Sequence, residues 1–262
     1  KISPYIIKTP LINNSEYLNK IFNTNVFFKL EFFQNSGSFK VRGAINNILN
    51  LSNNQKQIGI TTVSAGNHAI AASYAASLFS IKNKIFMYET ANEYRINKVK
   101  SLNANLVLTN HKKAFDDVEK ASKEENYYFL HPFEGKLTIQ GTATLGYEIS
   151  KQIDHIDNIL ISVGGGGLIA GVGSIIKQIF PKCKIYGVEP KKSNGMSQSL
   201  IKKEPLKNVN ISSIADSLSP PLHMPISFSI CQKVIDRMVL VSDYEMKQAM
   251  KFMAHHCKFI LE

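Results

Sequence analysis

Asn158-Ile159-Leu160-Ile161-Ser162-Val163 runs directly into Gly164-Gly165-Gly166-Gly167-Leu168. Ile159, Leu160, Ile161 and Val163 favour a strand, Leu168 to Ile179 a helix, and Lys184 to Val188 a second strand. Strand, helix and strand in this order give parallel pairing with a right-handed crossover. The glycines need a separate reason. Each adds conformational entropy to the unfolded chain, so four in a row are hard to explain as structure alone. A loop of this kind wraps backbone N–H groups around a phosphate, and the following helix adds the positive end of its dipole. It is neither GxGxxG nor a P-loop, because no Gly-Lys-Ser/Thr follows.

Working outward, the β-then-α rhythm repeats. Strands are expected at Val26 to Leu30, Ile58 to Val63, Lys84 to Tyr88, Leu106 to Thr109 and Tyr127 to Leu130. Helices are expected at Phe39 to Leu51, Asn67 to Leu78, Glu93 to Leu102, Lys113 to Glu125 and Thr142 to Ile153. This is an α/β chain with mostly parallel sheets. Near the end, Ser242 and Glu245 form an S-x-x-E capping box, and Met246, Ala249, Met250 and Met253 follow at helical spacing as a core stripe. The sequence closes abruptly on Phe259-Ile260-Leu261-Glu262, which reads as a fragment of a longer chain.

Composition narrows the function. The chain has 262 residues, 44% of them hydrophobic, enough for one large α/β domain or two smaller ones. The net charge of +11 comes almost wholly from scattered lysines, with Arg42, Arg95 and Arg237 the only arginines. That pattern argues against nucleic-acid reading, which favours arginine. Cys183, Cys231 and Cys257 are sparse, odd in number and form no CxxC, which suits a reducing, cytoplasmic compartment. No apolar run reaches the ~18 residues of a membrane span.

Two further clusters lie at strand–helix junctions. In Asn35-Ser36-Gly37-Ser38-Phe39-Lys40, the lysine stands just inside a helix N-terminus, where the dipole disfavours its protonation. That suits an amine acting as nucleophile and base, although a solvated lysine fits the same spacing. In Ser64-Ala65-Gly66-Asn67-His68, small residues let a ligand approach exposed N–H groups. An ordinary N-cap by Ser64 or Asn67 and a packed His68 fit as well. His255-His256-Cys257 is no metal site, because adjacent helix positions do not share a face.

Taken together, the clusters resemble the fold-type II pyridoxal-phosphate (PLP) enzymes, specifically the threonine/serine dehydratase and serine racemase group. The resemblance runs in order over nearly the whole chain. It takes in Lys29-Leu30-Glu31, Ser36 to Ala44, Ser64 to His68, Gly141-Thr142, Gly164 to Leu168, Gly187-Val188-Glu189-Pro190, Ile214-Ala215-Asp216 and Leu261-Glu262. It implies two open α/β domains, tryptophan synthase β-like, with PLP in the cleft. The larger would comprise residues 1–56 and 135–262, and the smaller residues 57–134. Lys40 would hold the cofactor as a Schiff base and exchange the Cα proton. Phe39 would pack beside the cofactor ring and Asn67 would bond its phenolic oxygen. Gly164, Gly165, Gly166, Gly167 and Leu168 would hold the phosphate, and Glu262 would stand near the pyridine ring. Ser64, Asn67 and His68 would surround the substrate carboxylate, with a loop at Gln140-Gly141-Thr142 nearby. A further helix, a strand and a Ser-Gly-Gly segment are implied beyond Glu262, and a homo-oligomer is implied as well.

The departures sharpen the reading. Ala65 stands where related serine racemases carry a second serine, the acid/base for the opposite face of Cα. Alanine moves no proton, so dehydration of L-threonine or L-serine to a 2-oxo acid and ammonia is favoured over racemization. Gly195 replaces a metal-site acid, so no divalent metal is expected at Glu189. Ile139 replaces a glycine before Gln140, and Ser217 ends the Ala-Asp-Gly motif. The rival readings are a PLP-dependent serine racemase and a non-catalytic PLP or phosphate-ligand binding protein, which would not need Lys40.

Overall fold

A computed structural model describes residues 1–13, 16–110 and 113–261. The strands are β1 (Leu11–Asn13), β2 (Phe27–Lys29), β3 (Ile60–Val63), β4 (Asn83–Tyr88), β5 (Leu106–Thr109), β6 (Tyr128–Phe129), β7 (Asn158–Ser162), β8 (Lys184–Pro190) and β9 (Arg237–Val241). The helices are α1 (Glu16–Phe22), α2 (Lys40–Leu49), α3 (Asn53–Ile58), α4 (Asn67–Leu78), α5 (Glu93–Ser101), α6 (Ala114–Glu124), α7 (Lys136–Ser150), α8 (Gly167–Ile179), α9 (Gly195–Lys202), α10 (Pro225–Val234) and α11 (Asp243–Phe252). None of these helices is long and apolar enough to cross a membrane. The contacts divide the chain into two compact units, residues 1–7 with 32–145, and residues 8–31 with 146–262.

The first unit is built on an all-parallel sheet in the order β5-β4-β3-β6. Alternation along its strands serves two cores. Ile60, Ile85 and Met87 join Ile45, Ala69, Ala72, Ala75 and Val99 in one cluster, while Val63 and Phe86 join Ala114, Val118 and Ala121 of α6 in another. A period of two therefore buries both faces under helices, as a doubly wound sheet requires. Helix α4 is buried nearly all round, and its alanines let it lie close against α2. The connections run outward from β3 to β4 to β5, and β6 then returns to the other side of β3. That reversal leaves a crevice at the carboxyl ends of β3 and β6, the place where open α/β sheets receive ligands. All four strands fall within the segment 57–134, and the compact unit is wider because α2 packs on α4.

The second unit carries the parallel sheet β7-β8-β9, with α8 and α10 packed together, and the antiparallel pair β1-β2. Lys29 of β2 is held internally by Glu148 at 2.5 Å, Gln152 at 2.7 Å and the Thr9 carbonyl at 2.7 Å.

Three expectations are corrected. The helix expected from Thr142 begins at Lys136, so Gln140, Gly141 and Thr142 are helical and not a loop. Gly141 is a packing glycine: a Cβ there would fall 2.5 Å from the Arg42 carbonyl and the Gly43 Cα. Ile58 ends a short helix instead of opening a strand, because Ser52 and Gln55 complete a capping box around α3. The box at Ser242 and Glu245 does cap α11, but its stripe is not core. Met246, Met250 and Met253 are only half-buried and Ala249 is exposed, so that face is covered only in part.

Candidate active site

The first unit gathers Lys40, the turn after β3 and the turn after β6. Lys40 opens α2, and its Nζ donates to the Pro132 carbonyl at 2.7 Å and lies 5.2 Å from the Phe39 ring centroid. Lys40 as a residue is half-buried, but the amine is enclosed, and that desolvation lowers its pKa to about 8. Ser38, two residues before it, has a buried hydroxyl with no hydrogen-bond partner.

Beyond β3, Ser64 Oγ accepts from the Gly66 amide at 3.1 Å and so closes the turn into α4. Asn67 is the first residue of α4 and is half-buried. His68 is fully inside, and its Nε2 donates to the Leu130 carbonyl at 3.0 Å. Thr62 Oγ1 donates to the same carbonyl at 2.7 Å, so β3, α4 and the end of β6 are tied at one oxygen. Burial, and then the charge of Lys40, push His68 down to about 3, so it is a neutral ring.

Sequence reasoning missed two residues here. His131 follows β6, and its Nδ1 accepts from the amides of Phe133 at 3.3 Å and Glu134 at 3.0 Å. Its ring lies against Phe129 and Phe133. Burial, and then Lys40, lower its pKa to about 3. Arg95 of α5 rests on the Ser64 turn, where a Cβ added to Gly66 would fall 2.8 Å from its Nη1. Neither has a local signature, since both reach the site through the sheet order. In α7, Gln140 is exposed, while Gly141 and Thr142 are buried and Thr142 Oγ1 donates to the Ile139 carbonyl at 2.9 Å.

The second unit carries the glycine loop at the carboxyl end of β7. Gly166 has φ +88°, and a Cβ there would fall 2.8 Å from Met196 Cε and 2.9 Å from Cys231 Sγ, so no larger residue fits. Among the described residues, the amides of Gly164, Gly165, Gly166 and Leu168 donate no hydrogen bond. Orphan amides at the start of a thirteen-residue helix suit an anion. Glu189 is buried and accepts from the amides of Met196 at 3.0 Å and Ser197 at 2.8 Å, which caps α9. At Gly195 a side chain would meet His223 Cε1 and Val209 Cγ2, both at 2.7 Å. Glu262 lies outside the described residues.

This donor set fits PLP. An enclosed amine with a pKa near 8 suits a carbonyl carbon, and unpaired amides around a positive-φ glycine suit a phosphate.

Comparison with known proteins agrees. The family model described as "Pyridoxal-phosphate dependent enzyme" matches residues 2–262. The chain is 39% identical to a phenylserine dehydratase of Ralstonia pickettii, over 100% of this chain and 80% of the relative. It is 35% identical to a catabolic L-threonine dehydratase of Staphylococcus aureus, over 100% of this chain and 76% of the relative. Among solved structures, the processed form of threonine deaminase isoform 2 from Solanum lycopersicum superposes with a TM-score of 0.94 at 35% identity, covering 100% of this chain and 76% of that one. Maize serine racemase gives 0.93 at 30%, covering 100% and 79%. With the amine, the amide cradle and these relatives in agreement, the chain belongs to the pyridoxal-phosphate dependent enzymes and is a lyase of the dehydratase type.

Proposed function

We propose that the protein eliminates water from a β-hydroxy-α-amino acid, L-threonine or L-serine, to give a 2-oxo acid and ammonia. The observation that carries this reading is the enclosed setting of Lys40, whose amine is bonded to the neutral Pro132 carbonyl, together with Ala65 as the second residue of the turn after β3. The named substrates of the dehydratase relatives, phenylserine and threonine, support the class of substrate.

When bound, PLP supplies an electron sink for the charge left at Cα. Lys40 would hold the cofactor and take the Cα proton. Its lowered pKa keeps a usable neutral fraction near pH 7.5. The Pro132 carbonyl orients the amine. Phe39 would pack beside the cofactor ring, and Asn67 would bond its phenolic oxygen. Ser64, Asn67 and His68 orient the substrate carboxylate, with Gln140, Gly141 and Thr142 in support. The amides of Gly164 to Leu168 would hold the phosphate. Ala65 offers no proton to the opposite face, so elimination outruns racemization. We also place the protein in the cytoplasm, where buried free cysteines persist, as a homo-oligomer with residues 57–134 as its smaller domain.

The test is product analysis. The holoenzyme is incubated with L-threonine or L-serine, 2-oxo acid is followed by a coupled assay, and enantiomers are separated by chiral chromatography. The 2-oxo acid is expected to form much faster than the D-isomer, since a positioned acid typically contributes ~10²–10⁴-fold. Ala65→Ser is expected to raise the D-share. D-serine accumulating faster than pyruvate would instead establish the racemase reading, which the serine racemase neighbours keep in view.

A further inference from the structure

His223 belongs to no motif in the sequence and to no step above, yet it is buried and bonded at both ring nitrogens. The donors run in one direction. The Leu206 amide donates to Ser199 Oγ at 3.2 Å, Ser199 Oγ donates to His223 Nδ1 at 2.9 Å, and His223 Nε2 donates to the Gly164 carbonyl at 3.2 Å. Burial lowers the ring's pKa against the opposing pull of the Gly164 and Gly195 carbonyls, so the ring is a neutral, oriented donor. The absence of a side chain at Gly195 makes room for it, since a Cβ there would touch Cε1 at 2.7 Å.

We propose that His223 is a positioning residue for the cofactor phosphate, acting through the Gly164 carbonyl. The link is the peptide plane. A trans peptide holds its C=O and the following N–H in opposite directions. A grip on the Gly164 oxygen therefore turns the Gly165 N–H away from His223, to the side where the amides have no protein partner. Glycine peptides rotate more freely than others, so an unheld loop spends time with that N–H turned away. The far end of the loop is held by the helix itself: the Gly166 carbonyl accepts from the Ala170 amide at 2.9 Å, and Cys231 Sγ adds a longer contact at 3.6 Å. Gly164 itself is backed by the chain at Leu218, whose Cα would lie 3.1 Å from an added Cβ. His223 is thus the oriented donor to the Gly164 carbonyl, at a residue that Leu218 backs by packing. The inference rests on the reading of Gly164 to Leu168 as the phosphate cradle.

The test compares pyridoxal phosphate with pyridoxal, which lacks the phosphate, in titrations of the apoprotein. The ratio of their dissociation constants isolates what the phosphate contributes. Loss of one neutral, orienting hydrogen bond in His223→Leu is expected to lower that ratio roughly fivefold, through weaker pyridoxal phosphate binding with pyridoxal affinity unchanged. His223→Gln, which keeps an amide donor, is expected to recover most of the ratio. Ser199→Ala is expected to lower it about twofold, and it decides the matter if His223→Leu does not fold. Gly165→Asp separates the two layers of the argument, because it places a carboxylate among the amides. If Gly165→Asp leaves the ratio intact, the cradle reading itself is wrong. If Gly165→Asp collapses the ratio while folded His223→Leu or Ser199→Ala does not change it, the cradle stands and the role of His223 is refuted. Equal losses for both ligands would likewise refute it, as they mark a general structural role.

Discussion

Lys40 Nζ and the Pro132 carbonyl oxygen are 2.7 Å apart, although 92 residues separate them in the chain. The contact joins the start of α2 to the turn after β6. It gives the amine a neutral partner where a carboxylate would have held it charged, and burial then lowers its pKa from 10.5 to about 8.

That shift fixes a stability signature for the apoprotein. Between about pH 8 and 10.5 the unfolded chain binds more protons at this lysine than the folded one, so stability rises with pH across that window. Below pH 8 the full cost of the buried charge is present, about 3 kcal/mol. Lys40→Met should therefore stabilise the apoprotein at pH 7 by about 2 kcal/mol, after allowing about 1 kcal/mol for the lost hydrogen bond. The gain should fade by pH 10. Denaturant titrations at the two pH values check this, and a destabilised variant at pH 7 would contradict it.

His68 and His131 predict the acid limb. Burial, and then the charge of Lys40, hold both near a pKa of about 3, below the usual 6.5. Each takes up a proton more readily in the unfolded chain, so stability is lost as pH falls from about 6.5 toward 3. The thermal midpoint should drop across that range, and His131→Asn should flatten the drop by one proton's worth.

His131→Phe tests the turn that presents Pro132. It leaves the Phe133 and Glu134 amides without their acceptor, at a cost of about 2 kcal/mol. The pH profile of Lys40 modification by an amine reagent should then move its break away from 8, while other lysines keep theirs. An unmoved break would leave His131 a purely structural residue.

Gly141→Ala reports on helix packing. The new Cβ would lie 2.5 Å from the Arg42 carbonyl and the Gly43 Cα, both backbone, so α2 and α7 must separate. A loss of ~3 kcal/mol is expected from chemical denaturation; Gly135→Ala meets no atom within 4 Å but is strained by its φ of +94°, so a loss there reports backbone conformation and not packing.

These residues also show what could be read beforehand. Helix α4 was legible to the residue, Asn67 to Leu78, because small and apolar residues follow a turn without interruption. The cap at Ser242 was legible because its two bonds are local. The start of α7 was not. Gly141 looks like a breaker in the sequence, but it is there to admit a neighbouring backbone. The α3 capping box stands in the sequence as Ser52 and Gln55, but the apolar run that follows it favours a strand and masks the helix end at Ile58. His131, Arg95 and His223 could not be found by spacing, because sheet order and long connections bring them to the site loops. The methionine stripe of α11 had helical period without burial, since periodicity marks a face and not what covers it.

The central claim is that Lys40 is the residue that carries the cofactor. Borohydride reduction of the PLP-loaded protein, followed by peptide mapping with mass spectrometry, addresses it directly. The account predicts a pyridoxyl group on the peptide containing Lys40, and its loss in Lys40→Ala. A pyridoxyl group on another lysine, or on none, would contradict it.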